Sequence, residues 1–366
     1  MDGLEKLSIV IPTYGRQEFV KRQMKYWSGS TATVFIMDGS PQALQLEYGE
    51  EFASNIRYIH SSSDFFSRMQ QVTKLIKTPY VALLGDDDLF VKPGLSECID
   101  HLERNIQIFG AVGRSMYFFT QRGKLYGEPK HPESTNYSET IRGGLNRLHN
   151  LYYPGKIGAV AYGVYREDGW KRAVGATYST KYSSGYVYDT FLRTLLTYIG
   201  EIQVVEAITW LCSGENPPIR NQSSFNREVD LIDWFDSSRF TVEVQQYKQR
   251  LINEVMRLGS DSFEQVEDAV NYVVSTLEER YRIKATRRMT LGERAPKFLR
   301  EISPDFIKIF AKRFIPRRFI SKFDWQGIEF VECVHGLMNQ GISADKSEML
   351  AISELVLNFH SRKFSN

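Results

Sequence analysis

The feature that most constrains the fold is a short apolar run followed by three consecutive aspartates. The run spans Tyr80–Leu84 and is closed by Gly85, after which come Asp86, Asp87 and Asp88. Such a run is typical of a strand buried on both faces, and open α/β sheets bind ligands at the carboxyl ends of such strands. Adjacent carboxylates repel each other, and a cluster of this kind suits Mg²⁺ or Mn²⁺ shared with a diphosphate. The alternative is that the aspartates only form a turn or cap a helix.

The composition is that of a globular protein of about two domains. The chain has 366 residues, 42% of them hydrophobic and 25% charged, without a run of 18 apolar residues. Its first residues lack a basic start and an apolar signal core, so we expect a cytoplasmic location. Cys98, Cys212 and Cys333 are far apart, and the six histidines show no ligand spacing. We expect reduced, buried thiols, with neither a disulfide framework nor a zinc site.

Upstream of the acidic strand, apolar strands alternate with amphipathic helices. The predicted order is strand then helix, three times, over residues 7–12, 17–27, 32–37, 41–52, 56–59 and 65–77. Right-handed crossovers make this a parallel, doubly wound sheet with helices on both faces. The loops at Thr13–Arg16, Asp38 and Asp86–Asp88 should therefore meet at one edge. The absence of G-x-G-x-x-G after the first strand, and of a P-loop motif, argues against a dinucleotide-binding Rossmann domain and a P-loop NTPase.

Two strands in this region resemble those of family-2 GT-A glycosyltransferases. Ile9–Arg16 is similar to their I-P-T-Y-N-R opening, with Gly15 in place of the usual Asn. Phe35–Ser40 is similar to their V-V-D-D-G-S strand, shortened by one acid. Each match alone is weak, but they occur in the family's order and spacing.

The same resemblance continues to the acidic strand. Ser67-Arg68 is similar to the Ala-Arg pair that opens the family's helix before its metal strand, and Leu84–Phe90, with Pro93, resembles its D-x-D segment. Together the matches cover roughly residues 7–110. They imply a GT-A fold, which is a Rossmann-like, mostly parallel sheet flanked by helices.

The resemblance implies a nucleoside-diphosphate sugar donor and a set of residues that bind its nucleotide: Pro12, Thr13, Tyr14, Arg16, Asp38, Arg68 and Asp86. Asp38 would accept a hydrogen bond from the base, Arg68 would reach the nucleotide from its helix, and Asp86 would lie near the ribose. On the residues alone, Asp38 is equally explained as a turn former and Arg68 as a surface residue.

The resemblance also implies Mn²⁺ or Mg²⁺ as the cofactor. Asp87 aligns with the acid that binds the metal through the diphosphate, and Asp88 flanks it. Gly85 stands where the common D-x-D-D spelling has its first acid. The choice of ligand among Asp86, Asp87 and Asp88 therefore stays open.

A strongly apolar helix further along carries the candidate general base. Asp189 opens this helix, which ends at Gly200. In the resembling family an E-D pair opens the matching helix and its Asp is the base for sugar transfer, whereas here Tyr188 precedes Asp189. The implied reaction is one displacement that inverts the anomeric configuration. The alternative is that Asp189 is an N-cap or first-turn acid favoured by the helix dipole.

The first domain is predicted to span residues 1–215, with a nucleotide-sugar half at 1–110 and an acceptor half at 111–215. In the acceptor half we expect a strand at Gly158–Arg166 and two loops, Gly123–Ser138 and Gly169–Tyr186. The second of these loops is long enough to close over a substrate.

Residues 216–366 predict an all-α C-terminal domain. Its segment 282–322 is basic and amphipathic, with 13 Lys/Arg against 3 Asp/Glu. One interpretation is peripheral contact with an anionic membrane at the inner face; the other is a core-facing helix with a solvated basic side. No nucleic-acid-binding motif accompanies the charge, so nucleic acid is not an expected partner.

The sequence thus predicts a metal-dependent, inverting glycosyltransferase that moves a sugar, a hexose or a related one, to a hydroxyl of a saccharide or surface glycan. Two alternatives stay open. A nucleotidyltransferase also joins an α/β sheet to a carboxylate–metal site, although the loop Thr13–Arg16 is short for one. A non-catalytic binding protein on the same fold would explain why the Glu before Asp189 is missing.

Overall fold

The computed structural model describes residues 3–46, 51–130, 141–152, 159–215, 229–288 and 328–363. They form a ten-stranded sheet with helices on both faces. The strands are β1 (Leu7–Thr13), β2 (Thr33–Asp38), β3 (Ile56–His60), β4 (Tyr80–Leu83), β5 (Leu89–Phe90), β6 (Gly110–Gln121), β7 (Lys124–Lys130), β8 (Val164–Arg166), β9 (Ile202–Ser213) and β10 (Ile328–Glu329). The helices are α1 (Gln17–Trp27), α2 (Phe65–Leu75), α3 (Lys92–Arg104), α4 (Gly144–Tyr152), α5 (Glu167–Thr177), α6 (Val187–Ile199), α7 (Leu231–Asp236), α8 (Thr241–Leu258), α9 (Phe263–Arg288), α10 (Phe330–Met338) and α11 (Lys346–Lys363).

The sheet is built around the parallel strands β3, β2, β1 and β4. Its order is β10-β7-β6-β8-β4-β1-β2-β3, and β9 pairs with β5 and β6. Since β6 and β9 are also parallel, six of the ten described strands make parallel pairs. β5, β7, β8 and β10 run antiparallel to their neighbours. The predicted α/β class, a mostly parallel sheet flanked by helices, is confirmed.

Each face of the sheet carries its own hydrophobic core. In β1, Ile9 and Ile11 belong to one core and Val10 to the other, and all three are fully buried. This is the pattern of a strand covered on both faces. Helices α1, α3, α10 and α11 pack in the first core, and α2 and α5 to α9 pack in the second.

The two stretches predicted as acceptor-side loops contain regular structure. β7 occupies Lys124–Lys130 and pairs with β6 over seven residue pairs. α5 forms because buried residues recur at helical spacing, namely Trp170, Ala173, Val174 and Thr177. Gly169 favoured a loop in the sequence, but it is needed for close packing, since an added Cβ would lie 2.3 Å from Cε2 of Phe109. The prediction of a long closing loop at 169–186 was therefore wrong over its first half, residues 169–177.

Two other elements also differ from their predictions. Of the helix predicted at 41–52, residues 41–46 are irregular, and the backbone N–H of Leu44 donates to the Tyr58 hydroxyl over 2.7 Å. The strand predicted at Gly158–Arg166 shortens to β8, which pairs over two residues with each of β4 and β6 and follows a 3₁₀ turn at Val160–Tyr162.

The residues after 228 pack on both faces of this same sheet. α8 contacts α6 and α9 contacts α4, whereas α10 packs on β7, and β10 adds a short strand to β7. In its described part, the predicted helical region thus shares the two cores of the sheet and has no core of its own. Of the basic segment 282–322, residues 282–288 end α9, and the rest lies outside the described residues. None of the described helices is both long and apolar enough to cross a membrane.

Candidate functional site

The carboxyl ends of β1, β2 and β4 meet at one edge of the sheet. Thr13 and Asp38 are register partners at the ends of β1 and β2, and the acidic loop follows β4 on the other side of β1. A cavity of about 670 Å³ opens at this edge. Its lining includes most of the predicted site residues: Pro12, Thr13, Tyr14, Arg16, Arg68, Asp86, Asp87, Asp88 and Asp189. Asp38, the remaining one, is fully buried.

The loop after β1 partly neutralises the first two aspartates. Thr13 Oγ1 donates to Asp86 Oδ2 over 2.7 Å, and Arg16 Nη1 donates to Asp86 Oδ1 over 2.8 Å. The same Arg16 nitrogen lies 3.2 Å from Asp87 Oδ2. Burial nevertheless raises the pKa of Asp86 above its ordinary value, because it outweighs the stabilisation by Arg16 and Thr13. The Asp86 and Asp87 carboxylates thus share the Arg16 guanidinium. The Asp87 side chain is the more exposed of the two, at 19% against 7% for Asp86.

Asp88 turns toward β9 instead. Trp210 Nε1 donates to its Oδ2 over 3.1 Å, and the backbone N–H of Ser213 donates to its Oδ1 over 2.8 Å. Burial, followed by repulsion from Asp87, raises the pKa of Asp88 to about 7 although both hydrogen bonds oppose the shift. The charge of this carboxylate therefore depends on pH near neutrality.

The backbone of the acidic loop is held by α1. Gln23 Nε2 donates to the carbonyls of Asp86 and Asp88, over 3.0 and 2.6 Å. Arg22 Nη2 donates to the carbonyl of Asp87 over 2.6 Å. This contact was not predicted, because an amphipathic pattern indicates only which face of a helix packs on the sheet. The signal was the polar pair Arg22-Gln23 between apolar positions, and both side chains are buried.

Asp38 and Arg68 form a buried group of charges at the end of β2. Asp38 Oδ1 accepts hydrogen bonds from the backbone and hydroxyl of Ser40, and Oδ2 accepts one from the Tyr58 hydroxyl over 2.6 Å. Arg68 is 1% exposed, and its Nε and Nη1 have no hydrogen-bond partner among the described residues. An added Cβ on Gly39 would lie 1.1 Å from that Nη1. Buried polar atoms without partners are costly, so Arg68 is not a surface residue and its unused donors suit a polar ligand.

The start of α6 also lines the cavity. Asp189 lies in the first turn of this helix, whose N-cap is Tyr186. The Asp189 side chain is 50% exposed, and Arg193 Nη2 lies 2.9 Å from its Oδ2. Tyr281, from α9, lines the cavity there together with Tyr186. The carboxylate is therefore oriented by its neighbour and still accessible from the cavity.

Three further residues that line the cavity were not identified from the sequence: Tyr162, Trp210 and Lys130. Tyr162 stacks on Trp210 with ring centroids 3.8 Å apart, and Lys130 Nζ lies 4.4 Å from the centroid of the same Trp210 ring. Burial raises the pKa of Tyr162 well above its ordinary value, and Asp88 and Asp189 add to the shift. Tyr162 is thus influenced by both carboxylates. Lys130 gave no signal because its strand was predicted as a loop.

The acidic residues fit a divalent cation only with help from a ligand. Among the described residues, no group of three or more His, Cys, Asp and Glu side chains has the arrangement of a metal site. The oxygens of Asp86 and Asp88 already accept hydrogen bonds, whereas Asp87 is more exposed to the cavity. Mg²⁺ commonly binds through one or two carboxylates plus substrate phosphates. Asp87 together with a diphosphate meets that requirement.

Comparison with known proteins gives low-identity structural neighbours. No family model and no curated protein matches the chain. Among solved structures, Staphylococcus aureus TarS residues 1–349 is 15% identical with a TM-score of 0.40, over 76% of this chain and 91% of that one. The complex of TarS 1–349 with UDP-GlcNAc is 15% identical with a TM-score of 0.40, over 76% of this chain and 92% of that one. The complex with UDP is 15% identical with a TM-score of 0.38, over 76% of this chain and 91% of that one.

Proposed function

We propose that this protein is a glycosyltransferase that moves a sugar from a nucleoside-diphosphate sugar to a hydroxyl of a saccharide or glycan. One observation carries the proposal: a single cavity is lined by the buried Arg68, the acidic loop and the half-exposed Asp189. Direct transfer requires donor and acceptor to meet in one space. The motif resemblance along β1 to β4 supports the same function.

The donor nucleotide fits the end formed by β1, β2 and α2. Arg68 offers two nitrogens that lack partners among the described residues. Asp38 is fully buried and does not line the cavity, so it would support this end through Ser40 and Tyr58, whose hydrogen bonds its carboxylate accepts. Asp86 lies next along the edge and would meet the ribose. Pro12 and Tyr14, at the end of β1 and in the loop after it, also line the cavity.

The donor diphosphate fits beside the acidic loop. Asp87, with Asp88 next to it, would hold Mn²⁺ or Mg²⁺. When bound, the metal supplies positive charge that stabilises the leaving diphosphate. The protein supplies further positive charge on both sides of the aspartates, from Arg16 beside Asp87 and from Lys130 near Asp88.

Asp189 fits the role of general base. A sugar hydroxyl has a pKa far above 7 and needs a base at hydrogen-bond distance. As the acceptor oxygen bonds to the anomeric carbon, its proton passes to Asp189 and the bond from that carbon to the diphosphate oxygen breaks. One displacement of this kind inverts the anomeric configuration. Arg193 orients the carboxylate from one turn further along α6.

The test uses the full chain and two measurements. Thermal shift with a panel of nucleoside diphosphates, with and without Mn²⁺, reports donor binding. Incubation with nucleoside-diphosphate sugars, with and without a saccharide, reports turnover, and we expect release of the nucleoside diphosphate. A parallel incubation with a nucleoside triphosphate and a sugar phosphate would, if it released pyrophosphate and formed a nucleoside-diphosphate sugar, indicate a nucleotidyltransferase. Binding without any turnover would indicate a non-catalytic binding protein.

A further inference from the structure

Two tyrosines from distant parts of the chain meet at the Asp189 end of the cavity. Tyr186 immediately precedes α6, and Tyr281 lies near the end of α9. Their ring centroids are 5.7 Å apart, and the planes are inclined by 63°. Both line the cavity, and Tyr186 is 37% exposed. Tyr281 packs against the second core and Tyr186 is partly exposed, so the pair presents aromatic surface to the cavity beside the charged Asp189 and Arg193.

The pair lies next to the proposed base. Burial raises the pKa of Tyr281 to about 12, with Asp189 as the next cause, then Tyr186, while Arg193 opposes the shift. Tyr186 is the N-cap of the same helix that carries Asp189. A ligand that packs on these rings would therefore present its polar groups to the Asp189–Arg193 pair.

Tyr281 is fixed by a rigid element. On α9, Val273, Val274 and Leu277 are buried in the second core. Arg282, which follows Tyr281, forms hydrogen-bonded ion pairs with Asp236 on α7 and with Glu278 on α9. Its Nη1 donates to Asp236 Oδ2 over 3.0 Å. The ring is thus positioned by helix packing on both sides, and little ordering is needed when a ligand binds.

We propose that Tyr186 and Tyr281 form the acceptor subsite, and that the acceptor is a cyclic saccharide whose ring packs on these aromatic side chains. The inference rests on the proposed function and extends it to the chemical class of acceptor. A pyranose has an apolar C–H face and a rim of hydroxyls. The C–H face would pack on the electron-rich face of a tyrosine ring, and the hydroxyls would hydrogen-bond with Asp189 and Arg193. A linear polyol has no such face and would gain little from the rings.

The inference also assigns a role to the helical region. The predicted transferase domain 1–215 supplies the proposed donor-binding residues and Asp189, whereas α9, which follows that domain, supplies Tyr281. Without α9, the acceptor end of the cavity would lose one wall. The acceptor subsite is therefore composite, and the helical region takes part in specificity.

The test compares Tyr281→Ala, Tyr281→Phe and Tyr186→Ala with wild type. A matched control is Phe263→Ala, since Phe263 is a 50% exposed aromatic residue at the start of the same helix and does not line the cavity. We expect both alanine variants to raise the KM for a cyclic saccharide by about tenfold or more, with donor Kd and donor hydrolysis changed by less than about twofold. Tyr281→Phe and Phe263→Ala should behave like wild type, and melting temperatures verify that each variant is folded.

Several results would overturn the inference. An unchanged acceptor KM in both alanine variants would remove the subsite. An equal rise in donor Kd would place the rings against the donor. If a linear polyol is as good an acceptor as a cyclic sugar, the proposed acceptor class is wrong. If Tyr281→Phe raises the KM for the saccharide as much as Tyr281→Ala does, the binding group is the hydroxyl and not the ring.

Direct binding of an oligosaccharide, followed by ligand-observed NMR, separates this inference from the proposed function. If no nucleoside diphosphate binds but the oligosaccharide binds and is lost in Tyr281→Ala, the transferase function fails and the saccharide subsite stands. If the nucleoside diphosphate binds and the donor is hydrolysed, but binding of the oligosaccharide does not depend on either tyrosine, only the subsite fails. If wild type binds neither ligand, both fail.

Discussion

At the scale of single residues, the backbone explains the one departure from the family's opening motif. Gly15 has φ of +65°, and its N–H donates to Ser40 Oγ over 2.8 Å. Gly adopts this left-handed conformation without strain, and Asn, the residue usual in the motif, is the next best tolerated. Because Ser40 also hydrogen-bonds Asp38, one side chain ties the loop after β1 to the end of β2. The substitution at residue 15 therefore preserves the loop.

Gly39 sets the position of Arg68, so Gly39→Ala tests the nucleotide end. The new methyl group would overlap the guanidinium at 1.1 Å and displace it. We expect affinity for a nucleoside diphosphate to fall by about tenfold or more, measured by calorimetry. Gly336→Ala is the control, because nothing lies within 4 Å of its added Cβ. Wild-type affinity in Gly39→Ala would show that Arg68 does not bind the donor.

Asp189→Asn tests the proposed base. The amide keeps the size of the side chain but cannot accept the proton, so we expect transfer to fall by about 10²- to 10⁴-fold. Donor affinity should not change, because Asp189 is not one of the residues proposed to bind the donor and the amide keeps its size. Asp168→Asn is a matched control, since Asp168 is also a first-turn acid, on α5, and does not line the cavity. Near-wild-type turnover in Asp189→Asn would remove the assignment.

Asp88 should make stability depend on pH. Its pKa is about 7 in the folded protein against an ordinary value of 3.8. Between these values the folded state binds more protons than the unfolded state, so stability falls as pH rises through the window. We expect the melting temperature of the metal-free wild type to decline relative to Asp88→Asn from about pH 4 to about pH 7. Parallel curves for the two proteins would contradict the raised pKa.

At the scale of elements, the strands beside the acidic loop and the helix that carries Asp189 could be predicted, whereas other elements that line the cavity could not. β1, β2 and β4 are apolar runs that each end in a polar loop, and parallel pairing brings such loops to one edge. By contrast, Gly169 in α5 reads as a loop signal, although it serves packing against Phe109. Lys130 and Trp210 approach each other through the long-range pairing of β6 with β7 and β9, which local patterns do not encode.

The contacts that support the acidic loop show the same limit. Gln23 and Arg22 contact backbone carbonyls more than sixty positions away along the chain. A sequence shows that a polar residue interrupts an apolar helix face, but it does not show which carbonyl the side chain meets. The acidic motif and the helix α1 were recognisable, whereas the contact between them was not.

At the scale of the whole molecule, α11 packs behind the acidic loop through Arg22 of α1. Arg22 Nη1 donates to Glu215 Oε2 over 2.6 Å, and both side chains are fully buried. Glu215 also pairs with His360 on α11. The Arg22 guanidinium lies 4.7 Å from the centroid of Phe19 and 4.8 Å from that of Phe359. One arginine thus connects α1, the end of β9, α11 and the acidic loop.

Glu215→Ala tests whether this connection supports the site. Removal of the carboxylate leaves Arg22 as a buried charge without its partner, which costs about 3–5 kcal/mol of folding free energy. Arg22 would then be drawn away from the carbonyl of Asp87, so nucleotide binding should weaken even at temperatures where the variant stays folded. Glu329→Ala is the control, because its ion pair with Lys124 is exposed and should contribute little. Denaturant unfolding and nucleotide titration measure the two effects separately. A loss of stability with unchanged nucleotide affinity would show that α11 stabilises the fold without positioning the acidic loop.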